Sequence, residues 1–248
     1  MSDLRAEREE TLREFHDGTR SPLAAVERHD FTGDRPISFG AKGDVRLAGV
    51  DETITIRALA DGFEVDGKRV GPSEKVRLGR YTLRLSHQNF PAVVVLDPEN
   101  PRLAGGPFPR WFEPDPAFRV EARLLRAAKP EEVVIQSTRG NRRKALKVGQ
   151  LEFAIHGKQQ RLTATQLLEP GVKALSVFFR DGTTGQESYP VGRYVDPEPL
   201  DGDRYLIDFN RAYNPSCAFS PLYNCPIPPR ENVLEVKVTA GERDPGGH

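Results

Sequence analysis

Apolar and polar positions alternate along most of this chain, and only its first segment follows a helical period. Residues 3 to about 17 are rich in Glu, Arg, Leu and Ala, all good helix formers, and Leu4, Leu12 and Phe15 share one stripe at helical spacing. Gly18 supplies a C-terminal stop, and Pro22 turns Ser21 away from helix. A short helical turn is expected from Leu23 to Arg28. From about residue 44 the period falls to two. Thr53 to Leu59 alternates Thr and Arg with Ile and Leu. Phe63 to Val65 and Lys68 to Val70 flank Asp66-Gly67, a strong two-residue hairpin signal. Lys75 to Leu78 and Tyr81 to Leu85 flank Gly79-Arg80, and Ala92 to Leu96 reads as a buried run. Short strands at this spacing predict a sandwich or barrel.

Asp97 to Pro116 breaks the pattern with Pro98, Pro101, Pro107, Pro109, Pro114 and Pro116. Proline removes a donor and fixes φ, so this stretch is a linker or covering loop, which Trp111 and Phe112 pin to a core. A second β series follows: Phe118 to Arg126, Val133 to Ser137, Gln150 to His156, Gln160 to Leu168, Ala174 to Phe179, Tyr205 to Phe209 and Val233 to Val238. The expected fold is mainly β, two β-sandwich or barrel-like units with an N-terminal helix. The expected partition is 1–43, helix and connecting segment; 44–97, a small β domain; 98–117, a Pro-rich linker; 118–248, a barrel-like domain.

Composition narrows the function classes. Lys plus Arg and Asp plus Glu are 36 each, so net charge is zero, which argues against a nucleic-acid partner. No apolar run approaches the roughly 20 residues of a membrane span. The charged start lacks an apolar signal region, so a cytoplasmic location is expected, with no membrane partner. Oligomeric state and cofactor are left unassigned. Arg139-Gly140-Asn141-Arg142-Arg143-Lys144, with Lys147, is a basic cluster that reads best as an exposed hairpin tip.

Residues 208–232 carry the most information. They read DFNRAYNPSCAFSPLYNCPIPPREN, without helical or strand period, and hold Pro215, Pro221, Pro226, Pro228 and Pro229. So long a loop inside a compact domain is functional or a packed cover, and its prolines stiffen it. This segment resembles the signature of the domain-of-unknown-function 1684 family, found in bacteria and archaea. Asp181-Gly182-Thr183-Thr184-Gly185 and Tyr189-Pro190-Val191-Gly192-Arg193-Tyr194 are similar to its middle motif. Glu231-Asn232 and Ala240-Gly241-Glu242 are similar to its ending, and Arg20-Ser21-Pro22-Leu23 and Phe118 to Ala122 to its N-terminal patterns. The resemblance implies membership but no activity. The first β series, through Phe63 to Lys68 and Val76 to Gly79, is also similar to the late strands of forkhead-associated domains.

The candidate site is a small-molecule pocket under the signature loop. Its proposed ligand-binding residues are Asp181, Thr183, Tyr189, Arg193, Asp208, Asn210, Tyr213, Asn214 and Glu231. Arg193 offers a planar fork for a carboxylate or phosphate. The alternative is a hydrolase-like enzyme with Asp208 or Glu231 as general base and Arg193 as anion holder. A third reading makes the same charges a network that anchors the loop. Thr183-Thr184-Gly185 reads better as a hairpin turn than as a phosphate cradle. Cys217 and Cys225 are a structural pair, two inert thiols or a redox pair. The five scattered histidines show no metal-ligand spacing, so no metal is expected.

Overall fold

The computed structural model describes residues 2–246. The chain is mainly β and opens on helix α1 (Ser2–His16), where Arg5 and Glu9 pair one turn apart at 3.1 Å. It divides into two compact units, and the division falls after Gly106, within the proline-rich segment.

One unit holds residues 13–106 with 169–171. Its strands are β1 (Ala25–Asp30), β2 (Ile37–Gly40), β3 (Thr53–Ala58), β4 (Phe63–Val65), β5 (Lys68–Val70), β6 (Lys75–Leu78), β7 (Tyr81–Ser86) and β8 (Ala92–Leu96). They form two four-stranded antiparallel sheets, β1-β8-β7-β6 and β2-β3-β4-β5. Phe39, Ile56 and Phe63 of one sheet share a core with Leu83, Leu85, Val93 and Val95 of the other. Asp66 (φ 46°) and Gly67 (φ 79°) turn β4 into β5 with the paired positive φ angles of a primed hairpin turn. The helical turn expected from Leu23 to Arg28 stops early. Only Pro22–Ala24 makes a 3-10 turn, and Ala25 onward pairs with β8 instead. The unit closes on the four-residue helix α2 (Arg102–Gly105), inside the segment read as linker.

The other unit comprises the first turns of α1 to Leu12, Pro107–Leu168 and the chain from Val172. Its strands are β9 (Arg119–Gln136), β10 (Arg142–Ile155), β11 (Lys158–Leu167), β12 (Val177–Phe179), β13 (Arg193–Val195), β14 (Glu198–Pro199) and β15 (Arg204–Asp208). They make a five-stranded antiparallel sheet, β11-β10-β9-β15-β14, and a two-stranded ribbon, β12-β13. Neither closes into a barrel. Phe118, Leu151, Phe153, Val177, Phe179 and Phe209 lie in its core.

Two expected strands, Phe118 to Arg126 and Val133 to Ser137, are one strand, β9. Pro130 lies between the two expected runs. The ladder to β10 jumps from Arg126–Gly149 to Glu131–Lys147, so Pro130 sits where no pairing donor is needed. Gly149 fills the bulge because a Cβ there would lie 2.3 Å from the Leu125 carbonyl oxygen. Val233 to Val238 is not a strand: it runs beside Arg180 through a single isolated bridge. The basic cluster does lie at the β9–β10 turn, but Arg143 is not exposed. It is 1% accessible and donates to Ser137 Oγ and the Asn224 carbonyl. Among the described residues no helix is long and apolar enough to cross a membrane.

Candidate functional site

The signature loop is held by side-chain bonds in place of regular structure. At its start Asp208 caps a 3-10 turn by accepting from Asn210 N (3.0 Å). Asn210 then imitates a strand edge: its Nδ2 donates to the Asp115 carbonyl, and its Oδ1 accepts from Asp115 N, both at 2.9 Å. Tyr213 exchanges both backbone hydrogen bonds with Tyr194, and its hydroxyl donates to Asp196 at 3.2 Å. Asn214 N donates to Glu242 Oε2 at 2.8 Å. Further on, Ile227 N donates to the Gln136 carbonyl at 2.7 Å, and Tyr194 donates its hydroxyl to the Pro226 carbonyl. Asn232 ends the loop: its amide bonds Thr163 in both directions and donates to the Phe178 carbonyl.

Asp181, Thr183 and Arg193 do meet, but in the interior. The Arg193 side chain is 1% exposed and that of Asp181 0%, with Nη2 3.2 Å from Oδ1. Arg193 also donates to the carbonyls of Val238, Ala240 and Glu242. Its guanidinium stacks between Phe112 and Phe179 at 5.7 and 5.4 Å. Asp181 accepts from Val238 N (2.7 Å), Thr183 N and Thr183 Oγ1. Burial pulls the Arg193 pKa down while Asp181 opposes it; five acceptors within reach keep the guanidinium charged. This is a strap that fastens 238–242. Thr184 N and Gly185 N are spent on Asp181 and Ser188 carbonyls, so the turn offers no phosphate cradle.

The remaining predicted residues go elsewhere. Asp208 pairs with Arg211 (3.1 Å) and lines a cleft of about 260 Å³ with Asn210, Arg119 and Asp115. Glu231 lines a different cleft of about 650 Å³. Arg193 lines neither cleft, so it stands beside neither of the two alternative bases, Asp208 or Glu231. Tyr189 donates to Cys217 Sγ at 3.8 Å, and Cys217 and Cys225 are free thiols that shift each other's titration in opposite directions. Among the described residues no cluster of three or more His, Cys, Asp or Glu side chains is placed to hold a metal ion.

The larger cleft lies between the end of β9, β11 and Ile227–Glu231. Val133, Ile135, Ile227, Pro228 and Pro229 make its apolar side, and Thr163, Lys147, Arg180 and Glu231 its polar side. Lys147 and Glu231 face each other at 3.8 Å. Thr163 is 3% exposed, yet its Oγ1 has no hydrogen-bond partner, and neither has the buried Nε of Arg180. Asn232 sets these two residues side by side, since Thr163 N donates to its Oδ1 and Arg180 N to its carbonyl. Gly192 (φ 120°) keeps the wall close: a Cβ would fall 2.6 Å from the Phe179 carbonyl and 2.7 Å from Pro228 Cγ.

The family model described as "Protein of unknown function (DUF1684)" matches residues 109–243. The chain belongs to this family. The matched span holds the strap, the signature loop, both thiols and the larger cleft. No curated protein matches the chain. Among solved structures, an uncharacterised protein of Haloarcula marismortui, determined by solution NMR, is 42% identical over 55% of this chain and 76% of its own, with a TM-score of 0.46.

In this DUF1684 chain nothing local in the sequence singles out Thr163 or Arg180, and Lys147 reads there only as part of the basic hairpin tip. Thr163 and Lys147 lie in strands whose alternation accounts for them without a ligand. Arg180 abuts Asp181 and was eclipsed by it. The one sequence signal for Thr163 and Arg180 is Asn232, which is similar to the family's ending and which ties the two together.

Proposed function

We propose that this protein binds a small molecule with an anionic head and an apolar body in the larger cleft. The observation that carries this is that two residues of its lining, Thr163 and Arg180, each hold a buried polar atom, Oγ1 and Nε, without a hydrogen-bond partner. Buried polar groups are almost always bonded to protein or water, so a ligand oxygen displacing water there gains both. Charge supports an anion: Lys147, Arg180 and Arg230 face one carboxylate, Glu231. Arg180 has no carboxylate partner among the described residues, which leaves its planar fork for the ligand. The volume of about 650 Å³ suits a small ligand.

The site rests on rigid parts, because Pro228 and Pro229 have little freedom to lose on binding. In this reading the protein works in the cytoplasm without a nucleic-acid partner. Arg143 is spent on the signature loop, and Lys144 pairs with Glu132 at 3.0 Å.

Titration with the fluorescent anion anilinonaphthalene sulfonate tests the site. Arg180→Gln removes a charged hydrogen bond worth about 1.5–3 kcal/mol, so affinity should fall at least about tenfold. The uncharged analogue phenylnaphthylamine should bind weakly and ignore the substitution. Equal affinity of wild type and Arg180→Gln for the anion overturns the proposal. Native mass spectrometry of the purified protein, followed by a metabolite thermal-shift screen, then seeks the natural ligand.

A further inference from the structure

Neither cysteine lines the larger cleft, and the strap does not use them. Cys217 sits half-buried on the 3-10 turn Ser216–Ala218, and Cys225 is buried eight residues on in sequence. Each thiol acts on the titration of the other, which places the two side chains next to one another. Thr138 fixes the Cys225 side: Cys225 N donates to Thr138 Oγ1 at 3.1 Å, and Thr138 N to the Cys225 carbonyl at 2.9 Å. On the other side the buried Tyr189 hydroxyl donates to Cys217 Sγ at 3.8 Å. Both cysteines are free thiols, not a disulfide. A zinc site would need further ligands, and the described residues supply no third.

We propose that Cys217 and Cys225 are a modification site that a hydroperoxide converts reversibly to a disulfide, with Cys217 attacking and Cys225 resolving. Cys217 is the more reachable sulfur and the one ringed by donors. Hydrogen bonding from Cys225 first, then from Tyr189 and Thr138, lowers its pKa to about 7 against the opposing effect of burial. The bond with Cys217 and burial push Cys225 the other way, so it stays a thiol until its partner is oxidised. The Cys217 thiolate attacks one peroxide oxygen: an S–O bond forms, the O–O bond breaks, and the alkoxide leaves as an alcohol after taking a proton. Cys225 sulfur then attacks Cys217 sulfur. The S–S bond forms, the S–O bond breaks, and hydroxide departs as water with the Cys225 proton. Two thiols and one hydroperoxide thus give a disulfide, an alcohol and water, with two electrons passing to the peroxide.

The test treats the reduced full chain with stoichiometric hydrogen peroxide and follows intact mass and peptide maps. Wild type should lose two hydrogens through an intramolecular Cys217–Cys225 link, reversed by dithiothreitol. Cys225→Ser should instead accumulate a dimedone-reactive sulfenic acid on Cys217, and Cys217→Ser should react at least tenfold more slowly. The pH profile of Cys217 alkylation in wild type should have its midpoint near 7, and Tyr189→Phe should move it upward. Failure to form the internal disulfide, faster alkylation of Cys225 than of Cys217, or a wild-type midpoint at the ordinary thiol value of about 8.5 overturns the proposal. The wild-type measurements decide even where a serine variant does not fold.

Discussion

Replacing Arg193 by Met keeps an apolar stem between Phe112 and Phe179 and removes only the guanidinium. Asp181 then loses its cation but keeps the donors Val238 N, Thr183 N and Thr183 Oγ1. The carbonyls of Val238, Ala240 and Glu242 lose theirs. Breaking a buried ion pair by removing one partner costs about 3–5 kcal/mol. The donors left on Asp181 pull the cost toward the lower end, and the stranded carbonyls, at about 1–3 kcal/mol for each left fully unsatisfied, push it back. The expected loss is about 4 kcal/mol, which lowers Tm by about 8–16 °C for a body of this size. Calorimetry and urea titration of wild type and variant measure it. Asp181→Asn should cost less, since Arg193 keeps three carbonyls, and the double variant should cost less than the two singles summed. A loss under about 1 kcal/mol would show that Arg193 does not hold the 238–242 strap, and would return it to the list of ligand groups.

Two further expectations follow from neighbouring residues. Burial raises the Glu242 pKa from its ordinary 4.5 to about 7, against Asn214 N and two arginines. The folded state therefore holds a proton that the unfolded chain releases, so this contribution is complete below about pH 4.5 and is lost as pH rises through about 7. The loss is about 3 kcal/mol at about 1.4 kcal/mol per pH unit. Urea midpoints measured from pH 4 to 8 should fall over that window in wild type and stay flatter in Glu242→Gln; parallel curves refute the assignment. Gly192→Ala forces a side chain into φ 120° and against the Phe179 carbonyl and Pro228. It should cost more than about 1 kcal/mol and loosen the cleft wall, read as faster amide exchange at Ile227; unchanged exchange counts against that packing.

What could be read along the chain is what neighbours within a few residues decide. Asp66-Gly67 specifies its hairpin because only such a pair adopts two successive positive φ angles cheaply. The α1 period, the buried run of β8 and the lack of regular strands over 209–232 are equally local, because they follow from side-chain spacing and proline. Pro130 shows the limit: a proline inside a strand is tolerated only because β9 itself bulges there, its residues 127–130 lying opposite the one residue 148 of β10.

The sites depended on distant segments. Arg193, Asp208 and Glu231 look alike in sequence, as charges in Pro- and Gly-rich surroundings. Folding sends the first into the interior against carbonyls 45 to 49 residues away, and the others to two separate clefts. A charged side chain's role is set by how much water it loses and which partners replace that water, and both are properties of packing. Composition and local pattern thus determined a mainly β chain with a long, proline-rich loop over 208–232. Only the tertiary structure decided which charges are spent on holding that loop and which polar atoms, Thr163 Oγ1 and Arg180 Nε among them, are left over.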